Sequence, residues 1–184
     1  MTLLEAVNTC LSALGESRVT STTVVHPTVD LVLSTLAMKQ RQLLERGWWF
    51  NMSHVTMYPS TTGEMEYPAN AIAIVGDEGE IFVPRGGMLF DMDNNTQYFT
   101  EPKSMTVAYN LDFEDLPECA ANVVMTRAAQ EVYSGDLGPD AAVQRLQGLE
   151  IMSFAEMELQ HMRNRRYSTK QRRGWGRLVR ALRG

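Results

Sequence analysis

The sequence predicts an α+β protein: an antiparallel helical bundle of about four helices with a β-rich inserted domain and a basic C-terminal tail. Three observations predict it. Apolar residues recur at helical spacing before residue 48 and again after residue 111. Between them the period changes to short β-branched and aromatic runs broken by Pro, Gly and Asn. Finally, residues 160–184 hold nine Lys/Arg and no acid, whereas residues 1–159 hold eight Lys/Arg against 22 Asp/Glu. The expected division is residues 1–47 and 112–166 for the bundle, 48–111 for the insertion and 167–184 for the basic extension.

Thr2 and Glu5 form a capping box ahead of Leu3, Val7, Cys10, Leu11 and Leu14, with Gly15 as the stop signal. His26-Pro27 opens a second helix whose stripe is Val29, Val32, Leu33, Leu36, Leu43 and Leu44, and Gly47 ends it. The two should form an antiparallel hairpin. Strands are expected at Trp48–Tyr58, Ile72–Val75, Ile81–Val83, Met88–Asp91, Gln97–Phe99 and Met105–Tyr109, with turns at Gly76-Asp77-Glu78-Gly79, Pro84-Arg85-Gly86-Gly87 and Asp93-Asn94-Asn95, of which Gly86-Gly87 favours a hairpin. A third helix starts at Leu116-Pro117-Glu118 and continues through Tyr133, punctuated by Gly135. A fourth runs from Pro139 to about Arg166 with Gly148 inside it.

A chain of 184 residues with 44% hydrophobic and 21% charged residues is long enough to bury a core and reads as an ordinary globular protein. Cys10 and Cys119 sit in apolar helical segments and are expected to be reduced core thiols. The start of the chain lacks a signal-peptide pattern and no run is apolar enough for a membrane span, so synthesis in a cytoplasm and no membrane partner are expected. His26, His54 and His161 lie on different elements with no ligand spacing, so no metal and no cofactor is called. The acid clusters Glu64/Glu66, Asp77/Glu78/Glu80, Asp91/Asp93 and Asp112/Glu114/Asp115 could serve a glycan hydrolase only as a pair flanking a cleft, and solvated turns give the same pattern. No Ser is in a nucleophile-elbow context, so no catalytic residue is assigned.

Trp48-Trp49-Phe50 could be a ligand platform, but adjacent aromatics after a helix stop more often alternate between core and interface. Met52, Met57, Met65, Met88, Met92 and Met105 suit either an adaptable surface or core filling. The tail differs in kind. Arg163, Arg165, Arg166, Lys170, Arg172, Arg173, Arg177, Arg180 and Arg183 are eight arginines to one lysine, and Trp175, Leu178, Val179 and Leu182 add a short amphipathic piece. Arginine forks suit carboxylate or phosphate, so the tail points to an acidic partner, either nucleic acid or a protein groove.

The order of motifs over roughly residues 6–135 resembles the tail tubular protein A family, the adaptor or gatekeeper proteins of short-tailed phages. The motifs are Ala6-Val7-Asn8 leading to Leu14-Gly15-Glu16 and Val19; Arg46-Gly47-Trp48 with Phe50-Asn51; Arg85-Gly86-Gly87 before Phe90-Asp91; and Leu116-Pro117-Glu118-Cys119. Arg-Gly-Trp-x-Phe-Asn is the most specific. The resemblance implies a non-enzymatic virion tail protein: a homo-oligomeric, dodecameric ring between the portal protein and the tail nozzle protein, with tail fibres as further neighbours. DNA then passes through without tight binding. In that family the C-terminal segment engages the portal; residues 160–184 match none of its motifs, and it is their position and charge that make Arg163, Arg165, Arg166, Lys170, Arg172, Arg173, Trp175, Arg177, Leu178, Arg180 and Arg183 the expected portal-binding residues. A DNA-binding protein using the same tail is the alternative, followed by a glycan hydrolase.

Overall fold

The computed structural model describes residues 1–138 and 141–165. Among these the protein is mixed α+β, with four α-helices and antiparallel sheets. Helix α1 (Leu3–Ala13) starts at the capping box: the Thr2 hydroxyl accepts from the Glu5 amide at 3.2 Å and the Glu5 carboxylate accepts from the Thr2 amide at 2.7 Å. It ends as the Glu16 amide donates to the Leu11 carbonyl at 2.9 Å across Gly15, whose φ is +77°. The loop that follows is held by Asn8, which donates to the Val19 carbonyl at 3.0 Å and accepts from the Val19 amide at 2.8 Å. The Glu16 carboxylate accepts from the Thr28 hydroxyl at 3.0 Å, fixing the start of α2 (Pro27–Leu44), where Pro27 occupies the first turn.

Helix α3 (Glu118–Asp136) packs against α1, α2 and α4 (Ala141–Asn164). No residue from Cys119 to Gln130 is fully exposed, and most of them are buried, so this stretch of the helix is enclosed on most sides. That is possible because Ala120, Ala121, Val123, Val124, Ala128 and Ala129 are small, which lets neighbouring backbones approach. The Cys119 thiol lies 3.5 Å from Gln160 Oε1, while Arg127 donates to Glu150 at 2.7 Å, so α4 runs antiparallel to α3. Helix α1 runs with α3, since the Met1 amino group meets Glu118 and the Cys10 thiol meets the Met125 carbonyl. Both cysteines are buried free thiols, and burial pushes the Cys10 thiol up to about 12.

The strands are β1 (Met52–Met57), β2 (Ala71–Gly76), β3 (Phe82–Arg85), β4 (Met88–Asp91) and β5 (Lys103–Tyr109). Strand β5 lies between β1 and β2, pairing Met52 with Ala108 and Ile74 with Val107, and β3 pairs with β4 as a hairpin. Met65, Ile74, Phe82, Leu89, Phe99, Met105 and Val107 form a second hydrophobic cluster beside the helical one.

Several boundaries differ from the sequence expectation. The first strand starts at Met52 and not at Trp48, because Gly47 at φ +72° turns the chain and residues 48–51 continue as a turn. Gln97–Phe99 is no strand; Thr96 and Tyr98 make only isolated pairings, with Asp91 and Glu64. The hairpin turn is at Gly86-Gly87 as expected, both left-handed at φ +59° and +82°, but the strand before it runs on to Arg85 and does not end at Val83. Helix α3 runs through Gly135 to Asp136, and α4 passes Gly148 unbroken, its described part beginning at Ala141 and ending at Asn164. Pro139 and Arg166, the expected ends of that helix, lie outside the described residues.

Because Ala128 is fully buried, Ala128→Leu should lower unfolding stability by about 1–3 kcal/mol in urea denaturation, through overpacking. Ala37→Leu, on the exposed face of α2, should change it by no more than about 0.5 kcal/mol.

Candidate interaction site

Residues 46–51 connect α2 to β1. Asn51 is 2% exposed. Its Oδ1 accepts from the Trp48 amide at 2.7 Å, and its Nδ2 donates to the Leu44 and Tyr109 carbonyls, each at 2.9 Å. One amide therefore satisfies the end of α2, its own turn and the end of β5. Trp48 is buried, with its indole N–H donating to the Leu43 carbonyl at 2.7 Å, while Trp49 and Phe50 are half-buried and stacked edge-on at 4.9 Å. The aromatic run is core and not an open platform. At Gly47 an added Cβ would sit 2.6 Å from the Met52 sulfur, on top of a backbone angle that favours glycine.

The same segment grips the C-terminal half of α4. Trp48 meets Phe154 edge-on at 5.9 Å and His161 at 5.2 Å, and the Trp49 amide donates to His161 Nδ1 at 3.3 Å. The guanidinium groups of Arg46 and Arg127 lie over the Phe154 ring at 5.9 and 5.3 Å, and Arg165 reaches the Met52 sulfur. Burial holds the His161 imidazole below its ordinary value, and the Arg165 charge adds to this against the weaker pull of Glu158. A cavity of about 340 Å³ opens here, lined by Arg46, Gly47, Trp48, Glu158, His161 and Met162. Trp48 and Asn51 were visible as a motif. Phe154 and His161, distant in sequence and on a helix read only for its apolar period, were not.

The structure keeps the other motifs apart from this junction. Gly15 and Glu16 shape the α1–α2 loop. The Arg85 guanidinium lies 3.6 Å from the centre of the Phe90 ring at the base of the Gly86-Gly87 turn. Asp91 is 2% exposed; burial alone would raise its carboxyl, but hydrogen bonds from the Asn94 side chain and the Asn94 and Asp93 amides outweigh it and hold it low. Pro117 precedes α3, Glu118 receives the Met1 amino group, and Cys119 faces Gln160. Of the methionines, Met65 and Met105 are core and Met92 is exposed. The Glu64 carboxylate accepts from Thr62 and Gln97, tying two loops together.

Arg163 lies in the last turn of α4 and Arg165 just beyond it, both exposed. The other expected portal contacts (Arg166, Lys170, Arg172, Arg173, Trp175, Arg177, Leu178, Arg180 and Arg183) lie outside the described residues. Among the described residues no group of three or more His, Cys, Asp or Glu could hold a metal ion, and no helix is long and apolar enough to cross a membrane.

Comparison with known proteins places this geometry. The family described as Tail tubular protein matches residues 4–167. Tail tubular protein A of Klebsiella phage KP34 is 38% identical over 181 residues, covering 97% of this chain and 96% of that protein.

Two outcomes test the junction. Asn51→Ala should cost about 2–3 kcal/mol of unfolding stability, since it strands buried carbonyls and an amide. Because folding disfavours the charged form of His161, stability should be complete above its ordinary value of 6.5 and fall as the pH drops below it, as the unfolded chain takes up the proton first. His161→Phe should flatten that part of a stability-versus-pH profile read by chemical denaturation.

Proposed function

This chain belongs to the tail tubular protein family and is a structural component of a phage virion tail, and on that premise we propose that it is the adaptor subunit joining the portal to the tail nozzle. In this reading it forms a homo-oligomeric, dodecameric ring around the DNA ejection channel, with tail fibres as further neighbours. Residues 1–47 and 112–166 act as the helical bundle, 48–111 as an inserted β-rich domain and 167–184 as the extension that engages the portal.

The observation that carries this reading is the grip of Trp48 and Trp49 on Phe154 and His161. The family motif thereby holds the part of α4 that directly precedes the arginine-rich segment in sequence. A basic segment that follows a held helix can dock into an acidic cleft of the portal, and repetition around a ring makes modest individual contacts strong together. The acidic balance of residues 1–159, eight Lys/Arg against 22 Asp/Glu, suits a channel wall past which phosphates must slide.

A DNA-binding role for the tail is the second reading, favoured by its arginine content, since phosphate neutralisation needs only such charge. The hydrolase reading loses support from Glu64, which is engaged by Thr62 and Gln97.

Negative-stain imaging of the protein mixed with its portal separates these readings. The full chain should form a ring on the portal, and a chain lacking residues 166–184 should lose at least tenfold in attachment. A truncated chain that attaches as well as the full one overturns the tail's role. Tight retention of duplex DNA by the free protein, falling steeply with salt and lost on truncation, would favour the DNA-binding reading instead.

A further inference from the structure

We propose that the outward face of α4 is a subunit contact whose occupant is α2 of a second copy of this chain; the inference rests on the ring reading above and names the surfaces that build the ring. Helix α4 is apolar on two opposite sides. Leu146, Phe154 and Met157 pack inward with the helical core. Ile151, Met152, Ala155, Leu159 and Met162 recur at helical spacing on the other side, where Ile151 and Met152 are 68% and 71% exposed and Leu159 and Met162 are 43% and 51% exposed. Single exposed apolar residues need no explanation, but a continuous stripe opposite a buried one marks a helix covered on both faces.

Helix α2 supplies a second such face. Leu31 and Met38, 51% and 40% exposed, are two helical turns apart on one side, and the exposed Val24 and Val25 lie just before the helix. A two-fold contact would use one patch twice, whereas a ring closes through two different patches on every copy. The charges fit this pairing. Along the edge of the α4 stripe run Arg145, Glu156 and Arg163, and the outward side of α2 carries Asp30, Arg41 and Glu45, all exposed. The signs are opposite in order and the first two of each set have the same spacing. Laid parallel, α2 of one copy brings Asp30 to Arg145 and Arg41 to Glu156 on α4 of the next. Glu45 then comes within a turn of Arg163, and Met38 reaches the level of Met152 and Ala155. Within one chain both faces point outward, so the pairing is between copies.

The test is a Met38→Cys/Ala155→Cys double variant carried in assembled tails of phage particles and mildly oxidised. Both positions are exposed and both native thiols are buried, so folding and background are little affected. The contact predicts a ladder of dimers, trimers and higher species on non-reducing gels, absent from either single variant. Tails that show an ordered ring but give only monomer bands overturn the α4–α2 contact and leave the ring reading standing. Dimers from Ala155→Cys alone overturn it too, in favour of α4 meeting α4. A ladder from tails with no closed ring supports the contact and overturns the ring reading.

Discussion

A buried amide tolerates no unmet hydrogen bond, and Asn51 meets its own by holding three pieces of chain at once: the last carbonyls of α2, the Trp48 turn and the end of β5. The Asn51 carbonyl in turn accepts from the Tyr109 amide at 2.8 Å. Helices and sheet are therefore tied at a polar point beside the helical cluster, with Gln40 donating to the Leu111 carbonyl as a second tie. Everything downstream inherits its position from there, because the turn that Asn51 closes is also the turn that presents Trp48 and Trp49 to α4.

Helix α4 is held by two kinds of contact. In its middle it leans on α3 through Arg127 and Glu150, a partly exposed pair of modest worth. Near its end, aromatic packing against Phe154 and the Trp49–His161 hydrogen bond hold it against the junction. The outward side meanwhile carries large apolar side chains, Ile151, Met152, Leu159 and Met162, that are exposed among the described residues. A tail component whose surfaces are completed by other copies would have this character, buried on one side by its own core and on the other by a neighbour.

Local chemistry made part of this fold legible. The capping box at Thr2 and Glu5, Pro27 in a first turn and the Gly86-Gly87 hairpin each depend on residues a few positions apart, and each appears where the pattern placed it. The misreadings came where local and distant forces compete. Aromatic residues 48–50 have strand propensity, yet the left-handed Gly47 and the Asn51 hydrogen bonds make them a turn. Gln97–Phe99 has a strand's composition, but its neighbours offer only isolated pairings.

The sequence by itself determined the class, the order of helices, strand-rich segment and helices, and the family, because periodicity, turn residues and ordered motifs are carried by neighbouring positions. It also determined the charge split between the acidic body and the arginine segment, since charge is simply counted. Only the tertiary structure decided which of the apolar residues of α4 face inward. Leu146, Ile151, Met152, Phe154, Met157 and Leu159 read as one run, and a helix apolar on two sides has no preferred side until α3 packs against one of them. It likewise decided that Trp48 closes on His161, a pairing of residues far apart in sequence that no local rule specifies.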